Sequence, residues 1–225
     1  MKHKCERIAF ITYCLISLNL LIYILEIKLG GSTNFITLER LGALIPARVE
    51  AGEWWRVISA NFLHYGWLHL ATNMISLYFL GRLVEFNLGR KYYLIIYFVS
   101  GIGSMSIFSF VALKTGESTV FLVGASAAIM GLIGALLAIL LQIWLRRKTS
   151  INARRLQQVI LIIIIQFVFD NLIPQVSFYS HLFGLIIGFS VGSVLVFLKF
   201  KQLYSDRYEN LRLEIKNQQS KINHE

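Results

Sequence analysis

The sequence predicts an all-α polytopic membrane protein, a bundle of six transmembrane helices, and three observations predict it. The 225-residue chain is 56% hydrophobic and 15% charged, with mean hydropathy +0.62, a composition too apolar for a soluble domain of this size. Six runs nearly free of charge recur, at about 8–28, 67–86, 92–113, 122–145, 156–173 and 177–199. Each is close to the ~20 residues a helix needs to cross ~30 Å of hydrocarbon. Finally, most Lys and Arg residues fall on one side of the bundle that these runs define.

The first run is too long for a cleaved signal peptide, lacks a small-residue cleavage site and is followed by further spans, so it is expected to stay as an anchor. Cys5 and Cys14 are the only cysteines, and no disulfide framework is expected. The one long connection, about 29–66, carries Glu53-Trp54-Trp55-Arg56, with Trp67 just beyond it. Indoles beside charge suit the headgroup level of a membrane. Connections elsewhere are short, which makes consecutive helices antiparallel neighbours. Residues 1–200 form one transmembrane domain, and 201–225 a polar tail in which Tyr204, Tyr208, Leu211 and Ile215 share one helical face. That spacing predicts a short amphipathic helix at the cytoplasmic surface.

A net charge of +10 might point to nucleic acid, but its distribution argues for lipid. With the N-terminus inside, the cytoplasmic segments hold Lys2, Lys4 and Arg7, then Arg82, Arg90 and Lys91, then Arg146, Arg147, Lys148, Arg154 and Arg155, then Lys199 and the basic residues of the tail. Only Lys28, Arg40, Arg48, Arg56 and Lys114 fall outside. The positive-inside rule therefore assigns both termini to the cytoplasm, facing anionic membrane lipids, and no nucleic-acid partner is expected.

Polar groups inside the spans are costly and so informative. They are His69 and Asn73 in the second span, Arg82 and Glu85 towards its inner end, Ser126 in the fourth, Gln166 and Asp170 in the fifth, and His181 in the sixth. Depth decides which can meet. Ser126 lies roughly 30 Å of helix above Arg146, His181 about 27 Å above Lys199, and Asn73 about 26 Å above Arg90. His69 is four residues from Asn73 and shares its face. Four polar groups from three helices thus converge on one outer layer. Gly124-Ala125-Ser126-Ala127-Ala128 and the repeat Gly184, Gly188, Gly192 are small-residue faces that let two helices pack closely in lipid.

Ser126 with His181 supplies a nucleophile and a base suited to neutral pH. Ser126 starts a buried helix whose free amides and dipole could face an oxyanion, with side-chain donors from His69 and Asn73. Other intramembrane chemistries fit less well. None of the five histidines lies in an H-E-x-x-H helix, so no metal is expected. Asp170 has no aspartate partner, no lysine lies in a span core, and a transporter would need paired half-helices.

The chain resembles the rhomboid family of intramembrane serine proteases over residues 50 to 192. Trp55-Arg56 resembles its first-loop motif, His69-x-x-x-Asn73 its second-span motif, and Gly81, Glu85 and Gly89 the pattern closing that span. Gly124-Ala125-Ser126 is similar to the nucleophile motif, and His181-x-x-Gly184-x-x-x-Gly188 to the sixth-span motif. The resemblance implies a six-helix rhomboid-like bundle, a Ser126–His181 dyad without an acid, an oxyanion hole of Ser126, His69 and Asn73, and no cofactor. It also implies transmembrane protein substrates, entering past the fifth span and cut near their outer ends. The compact architecture suits a prokaryotic plasma membrane. Two positions depart from the family: Ala127 stands where a glycine usually follows the nucleophile, and Met130 where an aromatic ring often packs on the histidine. They leave a second reading open, a weak or inactive relative that binds transmembrane helices.

Overall fold

A computed structural model describes residues 8–172 and 177–222. Among them the fold is helical throughout: α1 (Phe10–Lys28), α2 (Phe35–Leu41), α3 (Pro46–Glu50), α4 (Arg56–Ser59), α5 (Gly66–Ser76), α6 (Arg82–Leu88), α7 (Arg90–Lys114), α8 (Ser126–Arg147), α9 (Ser150–Leu172) and α10 (Phe178–Ile222). Five of these, α1, α7, α8, α9 and α10, are long and apolar enough to cross a membrane. The second expected span is also helical from 66 to 88, but its middle turn, Leu77–Gly81, is wound as π-helix between α5 and α6. Helix α10 continues through the start of the expected polar tail. The side chains of Tyr204, Leu211 and Ile215 lie outside those described, and the Tyr208 ring is exposed.

Helix α8 is the centre of the bundle. Twelve of its residues are buried, from Ala127 to Ile139, and most of their apolar side chains share a core with Leu77, Val84, Tyr93, Ile96 and Val196 from the surrounding helices. Its partner is α10, and the two meet through backbone. A β-carbon on Gly184 would run into the Ala127 carbonyl, one on Gly188 into the Gly131 carbonyl, and one on Gly192 would sit 2.7 Å from Ala135 Cα. The glycine repeat is therefore a close-packed seam, as small residues in lipid allow.

Glu85 has a role that the motif did not disclose. Its carboxylate accepts from the Ile11 amide at 3.0 Å, and from the Thr12 amide and hydroxyl at 2.9 and 2.8 Å. These are first-turn donors of α1, which have no partner within their own helix. An anion there also meets the positive end of the helix dipole. Glu85 is buried, and it fixes α1 against the inner end of α6.

The segment between α1 and α5 folds onto the end of the bundle at which α8 begins. Arg56 is buried and donates to the Glu39 and Ala43 carbonyls at 2.8 and 2.9 Å and to Glu53 at 2.8 Å. Trp54, Trp55 and Trp67 are exposed, as rings at a membrane interface would be. Leu44 and Leu122 exchange two backbone hydrogen bonds of 3.0 Å, and the Gly124 amide donates to the Ala60 carbonyl at 2.9 Å. The α8 helix therefore begins at Ser126, because Leu122 and Gly124 are pinned to this segment and residues 122–125 are not helical.

Candidate active site

Local features of the chain hold Ser126 and His181 at the same end of the bundle. Gly124 has φ +127°, a conformation that other residues rarely adopt, and turns the chain so that α8 starts at Ser126. The Ser126 side chain is half-buried. A β-carbon on Gly124 would stand 2.7 Å from His69 Nε2 and 3.6 Å from Ser126 Oγ, so these two groups border one small space. His181 is buried one turn before Gly184, whose backbone abuts Ala127, the residue after Ser126.

The first turn of α10 is tightly held. Ser177 Oγ accepts from the Ser180 amide at 3.2 Å, and Ser104 on α7 donates to the Ser180 carbonyl at 2.6 Å. The His181 ring is held from the far side: its Nδ1 is 2.8 Å from Asp170 Oδ2, and Gln166 Nε2 donates to Asp170 Oδ1 at 2.7 Å. This contact was not read from the sequence. Asp170 and Gln166 stood out as polar groups four apart in the fifth span, and that spacing was the available signal.

The structure does not engage every predicted donor. Ser126 and His181 share no hydrogen bond among the described residues. Asn73 is buried and gives one amide hydrogen to the His69 carbonyl of its own helix at 2.8 Å, which leaves the other hydrogen for a ligand.

Behind His69 stands a second polar pair that sequence reasoning missed. Glu26 of α1 is fully buried, and its Oε1 accepts from the His64 amide at 2.9 Å. The His64 ring meets His69 edge-on, with centroids 5.2 Å apart. Burial, reinforced by the neighbouring His69, pushes the His64 imidazole down to about 3. Thr12 and Asn19 are likewise buried polar residues of α1.

The departure at Ala127 is explained. Its side chain packs with Leu44, Met105, Phe108 and Leu122, while its carbonyl makes the contact with Gly184. Met130 is buried in the main core.

The model of the rhomboid domain matches residues 51–197. The chain belongs to the rhomboid family. Among its relatives is a protein named Rhomboid protease GluP from Bacillus subtilis, 37% identical over 186 residues, which are 82% of this chain and 34% of that protein. RHOMBOID-like protein 5 of Arabidopsis thaliana is 36% identical over 185 residues, 82% of this chain and 58% of that one. A shorter relative, named putative rhomboid protease YdcA, also from Bacillus subtilis, is 31% identical over 149 residues, 66% of this chain and 70% of its own length. This rhomboid thus spans a third to about three fifths of the length of the first two. With its apolar helices it is an integral membrane protein.

Proposed function

We propose that this chain is an intramembrane serine endopeptidase that cleaves transmembrane protein substrates near the outer face of the membrane. Ser126 is the nucleophile and His181 the general base. The observation that supports this most is the α8–α10 seam: backbone contact at Ala127 and Gly184 brings the start of α8 and the first turn of α10 to one level. The His69 ring borders the same small space as Ser126 Oγ. We read six crossings, the second made by α5, the π turn and α6, with both termini cytoplasmic. A prokaryotic plasma membrane suits this compact form, although six relatives are from a plant.

The chemistry follows from these placements. His181 Nε2 takes the proton of Ser126 Oγ as the oxygen attacks the scissile carbonyl. The oxyanion that forms faces the free first-turn amides of α8, with the His69 ring and the spare Asn73 hydrogen as further donors. The imidazolium then protonates the leaving amine, and water attacks the acyl-enzyme with the same base. The family resemblance supports the assignment of these roles.

Co-expression with a single-span membrane substrate tests the reading. Ser126→Ala and His181→Ala each abolish cleavage while the folded protein still accumulates. Cleavage that persists in both variants excludes the mechanism. A second reading, a relative that binds transmembrane helices without cutting them, is favoured by one observation, the missing Ser126–His181 hydrogen bond. Such bonds commonly tighten only with substrate present, and the cleavage assay separates the two readings.

A further inference from the structure

Resting on the proposed function and going beyond its dyad, we infer that Asp170 is a positioning residue for the reaction: its carboxylate fixes the His181 imidazole through Nδ1, and Gln166 fixes the carboxylate. The two contacts, 2.8 Å and 2.7 Å, engage both carboxylate oxygens. The Asp170 side chain is 0% exposed and that of His181 6%. A carboxylate within a membrane span is expensive unless partnered, and here its two partners are an imidazole and an amide. Val159 and Asp170 are the buried residues of α9, so this helix sends one charged group inward and spends it on His181.

The chemical consequence lies in the tautomer. An ionised carboxylate can only accept, so Nδ1 must carry the hydrogen and Nε2 is left with the lone pair. That lone pair is what Ser126 needs. When the Ser126 proton reaches Nε2 the ring becomes positive, and the carboxylate stabilises it without taking a proton itself. The resemblance alone implied a dyad without an acid. This contact turns it into a serine, histidine and aspartate arrangement contributed by α8, α10 and α9.

The competing role for the same contact is a tether that only holds α9 to α10. A small fluorophosphonate separates the two, because it reaches Ser126 without a substrate helix having to pass α9. The measurement is the rate constant for phosphonylation of Ser126 in the purified full-length chain, with Ser126→Ala as the blank. Asp170→Asn keeps the size of the side chain but offers a donor to Nδ1, which favours the wrong tautomer. It is expected to slow labelling by about a hundredfold or more. Asp170→Glu should recover part of the rate, and Gln166→Ala should lose between about fourfold and tenfold. With a cleavable substrate, Asp170→Asn should lower kcat and leave KM nearly unchanged. Should Asp170→Asn not fold, as read by its thermal midpoint, Asp170→Glu and Gln166→Ala carry the comparison. Labelling of the folded variants within about threefold of the parent overturns the inference and leaves only the tether. A parent chain that is folded but not labelled overturns the proposed function and this inference together.

Discussion

Helices α8 and α9 are adjacent in sequence and similar in length, yet they are built for opposite purposes. In their apolar stretches 61% of α8 is buried and 11% of α9. Helix α8 meets α10 through glycine and carbonyl groups with no space for a side chain. Helix α9 leaves Ile160, Leu161, Ile164, Ile165 and Phe169 exposed, which is tolerable only where lipid is the solvent. The difference teaches where rigidity is invested: Ser126 and His181 sit across a seam of backbone contacts, while α9 has little packing to lose. Its polar tie to the site is Asp170.

Substitutions can break this contrast, and the largest effect belongs to the seam. Gly188→Val puts two methyl groups into the Gly131 backbone, where no flexible neighbour can give way, and should cost more than ~3 kcal/mol. Thermal unfolding in detergent would show it as a chain that does not reach a folded, labelled state. Phe169→Ala on α9, by contrast, should stay within ~0.5 kcal/mol of the parent. Equal losses at the two positions would dissolve the distinction.

Intermediate effects come from the devices that hold the seam's surroundings. Glu85→Gln keeps one acceptor for the amides of α1 but loses its charge at the helix dipole, and should cost about 1–2 kcal/mol in the same assay. Ala127→Gly removes a methyl from the cluster with Leu44 and Met105 and leaves the carbonyl contact intact. Its expected cost is about 1 kcal/mol, with Ser126 labelled at the parental rate. A large gain in rate on that substitution would return Ala127 to the role of a disturbing methyl.

How much was legible beforehand depends on what hydropathy can see. Transfer free energy acts residue by residue, so the positions of the apolar runs and the common depth of Ser126 and His181 could be read directly. The glycine repeat also carried its meaning, since small residues four apart have one use in lipid. Pairings across the chain were another matter. Glu85 caps a helix 73 residues away, and no local pattern announces that an inner-end carboxylate serves another helix's amides. Glu26 passed unnoticed because it ends its run and reads as a boundary charge, although it is fully buried under the His64 amide. Asp170 was visible as a costly group, but its partner His181 is on the next helix, and no recognisable motif announces the pairing.

A further expected effect concerns pH, and it sharpens the same contrast between buried support and exposed helix. His64 lies between α4 and α5, outside the spans, with the Glu26 carboxylate at its amide and the His69 ring at its edge. Its folded value is about 3 against an ordinary 6.5, so the unfolded chain binds the proton more readily. This contribution to stability is complete above about pH 6.5 and is lost as pH falls towards 3. The thermal midpoint should therefore drop on acidification, and His64→Phe should flatten that slope. An unchanged slope would mean that His64 is already protonated in the folded state.

The most direct measurement is an experimental structure of the chain after reaction with a fluorophosphonate. The account predicts phosphorus on Ser126 Oγ, His181 Nε2 within about 3 Å of an adduct oxygen, and the phosphoryl oxygen turned to the first-turn amides of α8 beside His69. An adduct on another residue, or one on Ser126 with His181 turned away towards the acyl chains, would contradict it.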